Sequence, residues 1–111
     1  MKTIPIDIRR ALTGALLFAA TLLCAPTTAW SNDPVAGAAI YRQHCMGCHG
    51  ADGMATWPGA PNFARRERLL QPDANLRERI RVGRGPCPAY RGILNDQAIQ
   101  SVIVYIRTLI R

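Results

Sequence analysis

Apolar residues recur at helical spacing over three stretches of the chain, most plainly at its C-terminal end. There Ile99, Val102, Ile103, Ile106 and Ile110 fall at i, i+3, i+4, i+7 and i+11, one face of an amphipathic helix that packs inward to the terminus. Asn95 stands where its cap is expected. A second helix is predicted from Pro72 or Asp73, with Leu76, Ile80 and Val82 inward and Gly83 and Gly85 closing it. The first in chain order starts at Asn32 or Asp33, with Pro34 in its first turn, and runs through Ala36, Ile40 and Tyr41 toward Cys45. Phe63 to Gln71 reads as a short helical turn. Between these, Gly50, Gly53, Pro58, Gly59 and Pro61 interrupt the chain too often for regular structure, as in a loop wrapped around something. Pro86-Cys87-Pro88 is barred from a helix and predicts an extended loop. No segment alternates as a strand would, so the pattern predicts an all-α fold of three main helices with long loops.

The N-terminal pattern differs in kind. Lys2, Arg9 and Arg10 precede an apolar run from Ala11 to Ala25, and small residues follow up to Ser31. This is the pattern of a secretory signal peptide over residues 1–31, cleaved after Ala29 or Ser31 and leaving one domain, 32–111, in the periplasm. The apolar stretch is short for a membrane anchor. Leu23 before Cys24 is not the small residue that usually precedes a lipid-modified cysteine, and Arg9-Arg10 lacks the rest of a twin-arginine signal.

Candidate chemistry centres on Cys45-Met46-Gly47-Cys48-His49. The spacing CxxCH reads as a c-type haem attachment site: each thiol forms a thioether to a vinyl group, and His49 is placed to bind the iron. A zinc site would need about four ligands, and the chain has no second CxxC. A thioredoxin-like dithiol belongs near a strand-helix-strand pattern, whereas Val35 to His44 reads as a helix.

Charge sharpens this picture. From Asn32 on there are eleven arginines and no lysine against six acidic residues, a net charge of +5. So small a basic domain needs a staple beyond its apolar core, and a covalent haem would supply it. Arginines crowd residues 65–84; export argues against nucleic acid as their partner, leaving a solvated helix face or a docking surface for an acidic redox protein.

Over nearly the whole of 32–111 the chain resembles the small monohaem class I cytochromes c. Gly37 and Tyr41 are similar to that family's small-then-aromatic pair, which crosses an aromatic of the C-terminal helix, here Tyr105. Ala60-Pro61-Asn62-Phe63 resembles its Gly-Pro-Asn-Leu segment, whose proline carbonyl accepts a hydrogen bond from the ligating histidine. Cys87-Pro88-Ala89-Tyr90 looks like its Met-Pro-Ala-Phe or Met-Pro-Ala-Tyr segment, which supplies the second axial ligand. The resemblance implies a cytochrome c fold wrapped around one haem c, with Pro61 and Tyr90 in the haem environment.

The departure is Cys87 in the methionine's place. His44 adjoins the attachment site, Met46 lies inside it, and Met54 follows on the His49 side, so none replaces the missing ligand. Once Cys24 leaves with the signal and Cys45 and Cys48 are thioethers, Cys87 is unpaired. It has three possible fates: an axial thiolate, a free thiol beside an open iron, or an intermolecular disulfide. A thiolate ligand would favour ferric iron and a low potential, whereas methionine raises it. The expected function is transfer of one electron between larger redox proteins rather than self-contained catalysis, as a monomer or a small subunit of a redox complex. The alternative is a haem subunit or small-ligand-binding cytochrome of sulfur-compound or nitrogen-oxide metabolism, because His/Cys haems occur in cytochromes of thiosulfate oxidation.

Overall fold

The computed structural model describes residues 32–111; the expected signal segment and its cleavage points lie outside the described residues. Helix α1 spans Pro34–His44, its start capped by Asp33, whose carboxylate accepts the Val35 N–H at 2.8 Å. Its inward face centres on the buried Gly37 and Tyr41, with Ala36 exposed at the margin. At Cys45 the helix stops, and a separate single turn, α2 (Met46–His49), follows. The CxxCH segment therefore straddles a helix break instead of ending one helix.

Helix α3 spans Asp73–Val82 and α4 spans Asp96–Thr108. Asn95 caps α4 by accepting the Ala98 N–H at 2.8 Å, and Ile99, Val102, Ile103 and Ile106 are buried along it. In α3 Leu76 is buried, but Val82 is exposed because it lies two residues, about 200°, around the helix from Ile80. The helical period of the last segment does not reach the terminus. Past Thr108 the chain turns away, Ile110 still packs on the core, and the Arg111 N–H donates to the Ala64 carbonyl at 3.1 Å.

Of the expected turn between Phe63 and Gln71, only Phe63–Arg65 form a 3-10 turn; Arg66 and Arg68 take left-handed φ angles of 64° and 60°, which end it. Among the described residues there is no strand, only an isolated bridge between Arg84 and Cys87. No helix among them is long and apolar enough to cross a membrane.

The crossing of α1 on α4 sets the frame. A Cβ at Gly37 would overlap the Ser101 carbonyl, so only glycine lets the two backbones meet. One turn on, Tyr41 and Tyr105 pack with ring centres 5.3 Å apart, and the Tyr41 hydroxyl donates to the Gly50 carbonyl at 2.7 Å. Burial raises the pKa of Tyr41 far above the usual tyrosine range. Helix α3 is clamped to α4 through Asp73, which accepts from Arg107 at 2.6 Å and Gln100 at 2.7 Å; these bonds, with Gln100's the larger effect, hold its carboxyl below the usual range. Arg107 also donates to the Leu69 carbonyl. The apolar interior is two small clusters, one around Tyr41, Leu69, Val102 and Ile106, the other around Leu76, Ile99 and Ile103.

Candidate haem-binding site

The CxxCH turn is held from behind by the loop that follows it. The N–H groups of Thr56 and Trp57 both donate to the Cys48 carbonyl, at 3.0 and 3.1 Å, and the Thr56 hydroxyl donates to the Gly47 carbonyl. These bonds satisfy carbonyls that so short a helix leaves without partners. Cys45 is half-buried and Cys48 exposed; burial pushes the free Cys45 thiol up to about 12.

His49 is fixed on two sides. Its Nδ1 donates to the Pro61 carbonyl at 3.1 Å, and its ring stacks on Phe63 with centres 4.3 Å apart and planes 12° from parallel. Because a carbonyl can only accept, the proton sits on Nδ1 and the Nε2 lone pair is left for a metal. Burial lowers the His49 pKa and nearby Arg79 acts the same way, against the opposing effect of the Pro61 bond. The Pro61 segment is itself locked: the Asn62 N–H donates to the Glu67 carboxylate at 2.8 Å, and the Glu67 N–H donates to the Asn62 carbonyl.

The Cys87 loop folds back on the end of α3. The N–H groups of Tyr90 and Arg91 donate to the carbonyls of Ile80 and Arg81, and Arg84 and Cys87 exchange two backbone hydrogen bonds. The Tyr90 hydroxyl reaches across to the His44 carbonyl at 2.8 Å, and the two rings meet edge to face at 5.5 Å. The Cys87 sulfur makes only a long contact, 3.8 Å, to the Pro88 carbonyl.

Between these parts lies an open cleft of about 290 Å³. All six residues singled out from the sequence line it: Cys45, Cys48, His49, Pro61, Cys87 and Tyr90. His44, read from sequence as excluded from iron ligation, lines it as well, whereas Met46 and Met54 are exposed and do not. Val102, Ile106, Leu76 and Ile80 supply an apolar wall, and Arg68, Arg79 and Arg84 a positive one without any acidic residue. Nη1 of Arg79 is buried with no hydrogen-bond partner among the described residues. A haem answers each demand: two thiols for its vinyl groups, an unoccupied imidazole nitrogen for iron, an apolar wall for the macrocycle, and an unpaired cation for its carboxylates. A second depression, between α3 and α4, is lined by groups that satisfy one another, Arg77 with Gln100 and Arg81 with Asp96.

Sequence reasoning missed Phe63 as the partner of His49, and it missed Arg79, counted only within a run of arginines. The signal for Arg79 was present in its register: it falls three residues after Leu76 and one before Ile80, a charge on the inward face of α3.

Fold and site together define a c-type cytochrome. A family model described as cytochrome c oxidase, cbb3-type, subunit III matches residues 32–106. The chain belongs to this family of cytochrome c domains, with covalently bound haem c and the role of an electron carrier. It is 38% identical over 80 residues to FixP of Bradyrhizobium sp. (strain ORS 278), a cbb3-type cytochrome c oxidase subunit; the match covers 69% of this chain and 28% of that one. It is 30% identical over 81 residues to cytochrome c6 of Leptolyngbya boryana, covering 67% of this chain and 89% of that protein. Among solved structures, the c-type cytochrome KustC0563 superposes with a TM-score of 0.60 at 27% identity, over 68% of this chain and 98% of that one. The chain thus spans under a third of the FixP relatives but most of a cytochrome c6.

Proposed function

We propose that this chain is exported to the periplasm and passes single electrons between larger redox proteins, its haem attached at Cys45 and Cys48, with His49 and Cys87 as axial ligands and a low reduction potential. The observation that carries this reading is that one cleft gathers the CxxCH residues, an imidazole with Nε2 left for metal, and the otherwise uncommitted Cys87 sulfur. When bound, the haem iron supplies a site that takes up and releases one electron. The protein does the rest. Pro61 and Phe63 fix the imidazole; the strapped loop keeps Cys87 on the lining of the same cleft. Metal binding deprotonates a thiol, and thiolate donation favours ferric iron. Export is supported by the basic, apolar and small-residue order of residues 1–31. The FixP likeness supports a partner in a respiratory complex, and the cytochrome c6 likeness supports a free carrier.

The position of His44 in the same cleft favours a second ligand pair, His49 with His44. Spectroscopy of ferric holoprotein separates the two. A low-spin spectrum without the methionine-to-iron band, lost in Cys87→Ala, supports the thiolate. A low-spin spectrum that survives in Cys87→Ala and is lost in His44→Ala supports the histidine. Cys87→Met should raise the midpoint potential on the order of 0.1 V, within the roughly 0.8 V that axial ligation spans. An unchanged potential and spectrum would mean that Cys87 does not touch the iron.

A further inference from the structure

Residues 65–71 form a strained turn that is held fast from beneath. Arg66 and Arg68 take φ angles of 64° and 60°, a left-handed region that residues other than glycine rarely adopt and that persists only where the surroundings fix it. The surroundings do so here. Leu69 is fully buried, Arg107 donates to the Leu69 and Gln71 carbonyls at 2.7 and 3.1 Å, and the Gln71 side chain donates to the Arg68 carbonyl at 2.7 Å. Asn62 and Glu67 lock the other end. What the turn displays is Arg65, Arg66, Arg68 and Leu70, all exposed; at 83% Leu70 is the most exposed of the described large apolar residues. Among the described residues none of these three arginines forms an ion pair, because the carboxylates are committed elsewhere. Asp33 caps α1, Glu67 accepts the Asn62 N–H, and Asp52, Asp73, Glu78 and Asp96 pair with Arg111, Arg107, Arg91 and Arg81.

We propose that this turn docks the protein on an anionic phospholipid surface, with the three arginines against lipid phosphates and Leu70 entering the boundary between headgroups and acyl chains. A guanidinium binds phosphate oxygens through paired hydrogen bonds, and each basic residue near an anionic leaflet adds to the attraction. The turn suits lipid better than protein. A stable protein interface buries about 800 Å² on each partner around an apolar centre, whereas one apolar side chain among like charges is enough for a fluid surface that needs no matching register. Arg68 also lines the haem cleft, so docking through this turn holds the mouth of the cleft near the headgroups, beside any redox partner embedded there. That a lipid surface is within reach rests on the proposed export.

The test is sedimentation of holoprotein with vesicles of phosphatidylcholine, alone or mixed with an equal part of phosphatidylglycerol. Wild type should bind the mixed vesicles, leave them in strong salt, and ignore phosphatidylcholine alone. Arg65→Gln combined with Arg66→Asn should bind about 25-fold more weakly, about fivefold for each arginine; neither residue lines the cleft, and asparagine tolerates the left-handed backbone. Leu70→Ser should lose affinity on the order of tenfold and keep the wild-type haem spectrum. Arg91→Gln, which removes an equal charge from the pair with Glu78, should bind nearly as wild type. An equal loss in Arg91→Gln, or none in the other two variants, would mean that net charge and not this turn makes the contact. Wild type that stays in solution with the mixed vesicles overturns the proposal and leaves the arginines to an acidic protein. Holoprotein found only in the cytoplasm overturns the export reading alone.

Discussion

An imidazole with one nitrogen bonded and one face covered has little rotational freedom left, and that is the condition of His49 between Pro61 and Phe63. The cytochromes that the chain resembles carry leucine where Phe63 stands, which covers a ring without aligning with it. The 12° angle between the His49 and Phe63 planes therefore has a consequence particular to this chain. Phe63→Leu should leave the Pro61 bond and haem attachment intact, cost about 1 kcal/mol of stability, and alter the g-anisotropy of the ferric spectrum through the freed imidazole plane. Electron paramagnetic resonance beside a denaturant titration checks both; an unaltered spectrum would reduce Phe63 to packing. Pro61 was legible in the sequence because the segment Ala60-Pro61-Asn62-Phe63 resembles one of known role. The stacking was not, since it depends on how the 3-10 turn after Asn62 aims a ring.

At the scale of elements, the loop bearing Cys87 is an appendage of α3. It caps the helix by donating from Tyr90 and Arg91 to the carbonyls of Ile80 and Arg81, groups that the helix end would otherwise leave unpaired. The junction is Gly83, with φ of 66°, where an added Cβ would lie 2.6 Å from the Cys87 carbonyl oxygen and as close to Pro88 and Ala89. Gly83→Ala must therefore move the loop. The expected result is a folded protein, destabilised by roughly 1–3 kcal/mol, whose ferric haem gains a high-spin fraction that binds added imidazole more readily than wild type. Unchanged spin state and ligand affinity would show that the loop's placement does not control the sixth position. The helices themselves were readable, because Asn95, Asp33 and the isoleucine period are local signals. The misplaced member is Val82, which lies about 200° around the helix from Ile80 and so off the inward face of α3.

Across the whole molecule, the two apolar clusters are too small to account for a stable domain of this length without help. Among the described residues, Tyr41, Ala64, Leu69, Leu76, Tyr90, Ile99, Val102, Ile103 and Ile106 form the buried apolar core, and a core on this scale supplies about 3–5 kcal/mol. The cleft runs between the clusters, walled by Leu76 from one and by Val102 and Ile106 from the other. A macrocycle seated there would join them and cover surface that each leaves open, and the proposed attachment at Cys45 and Cys48 would tie it to the break between α1 and α2. Cys48→Ala should accordingly leave at most one thioether and remove most of the folding free energy, giving weak haem staining after denaturing electrophoresis and a non-cooperative thermal transition by circular dichroism. Normal staining would sink attachment at Cys48, whereas a cooperative transition in haem-free protein would show that the two clusters hold the fold unaided.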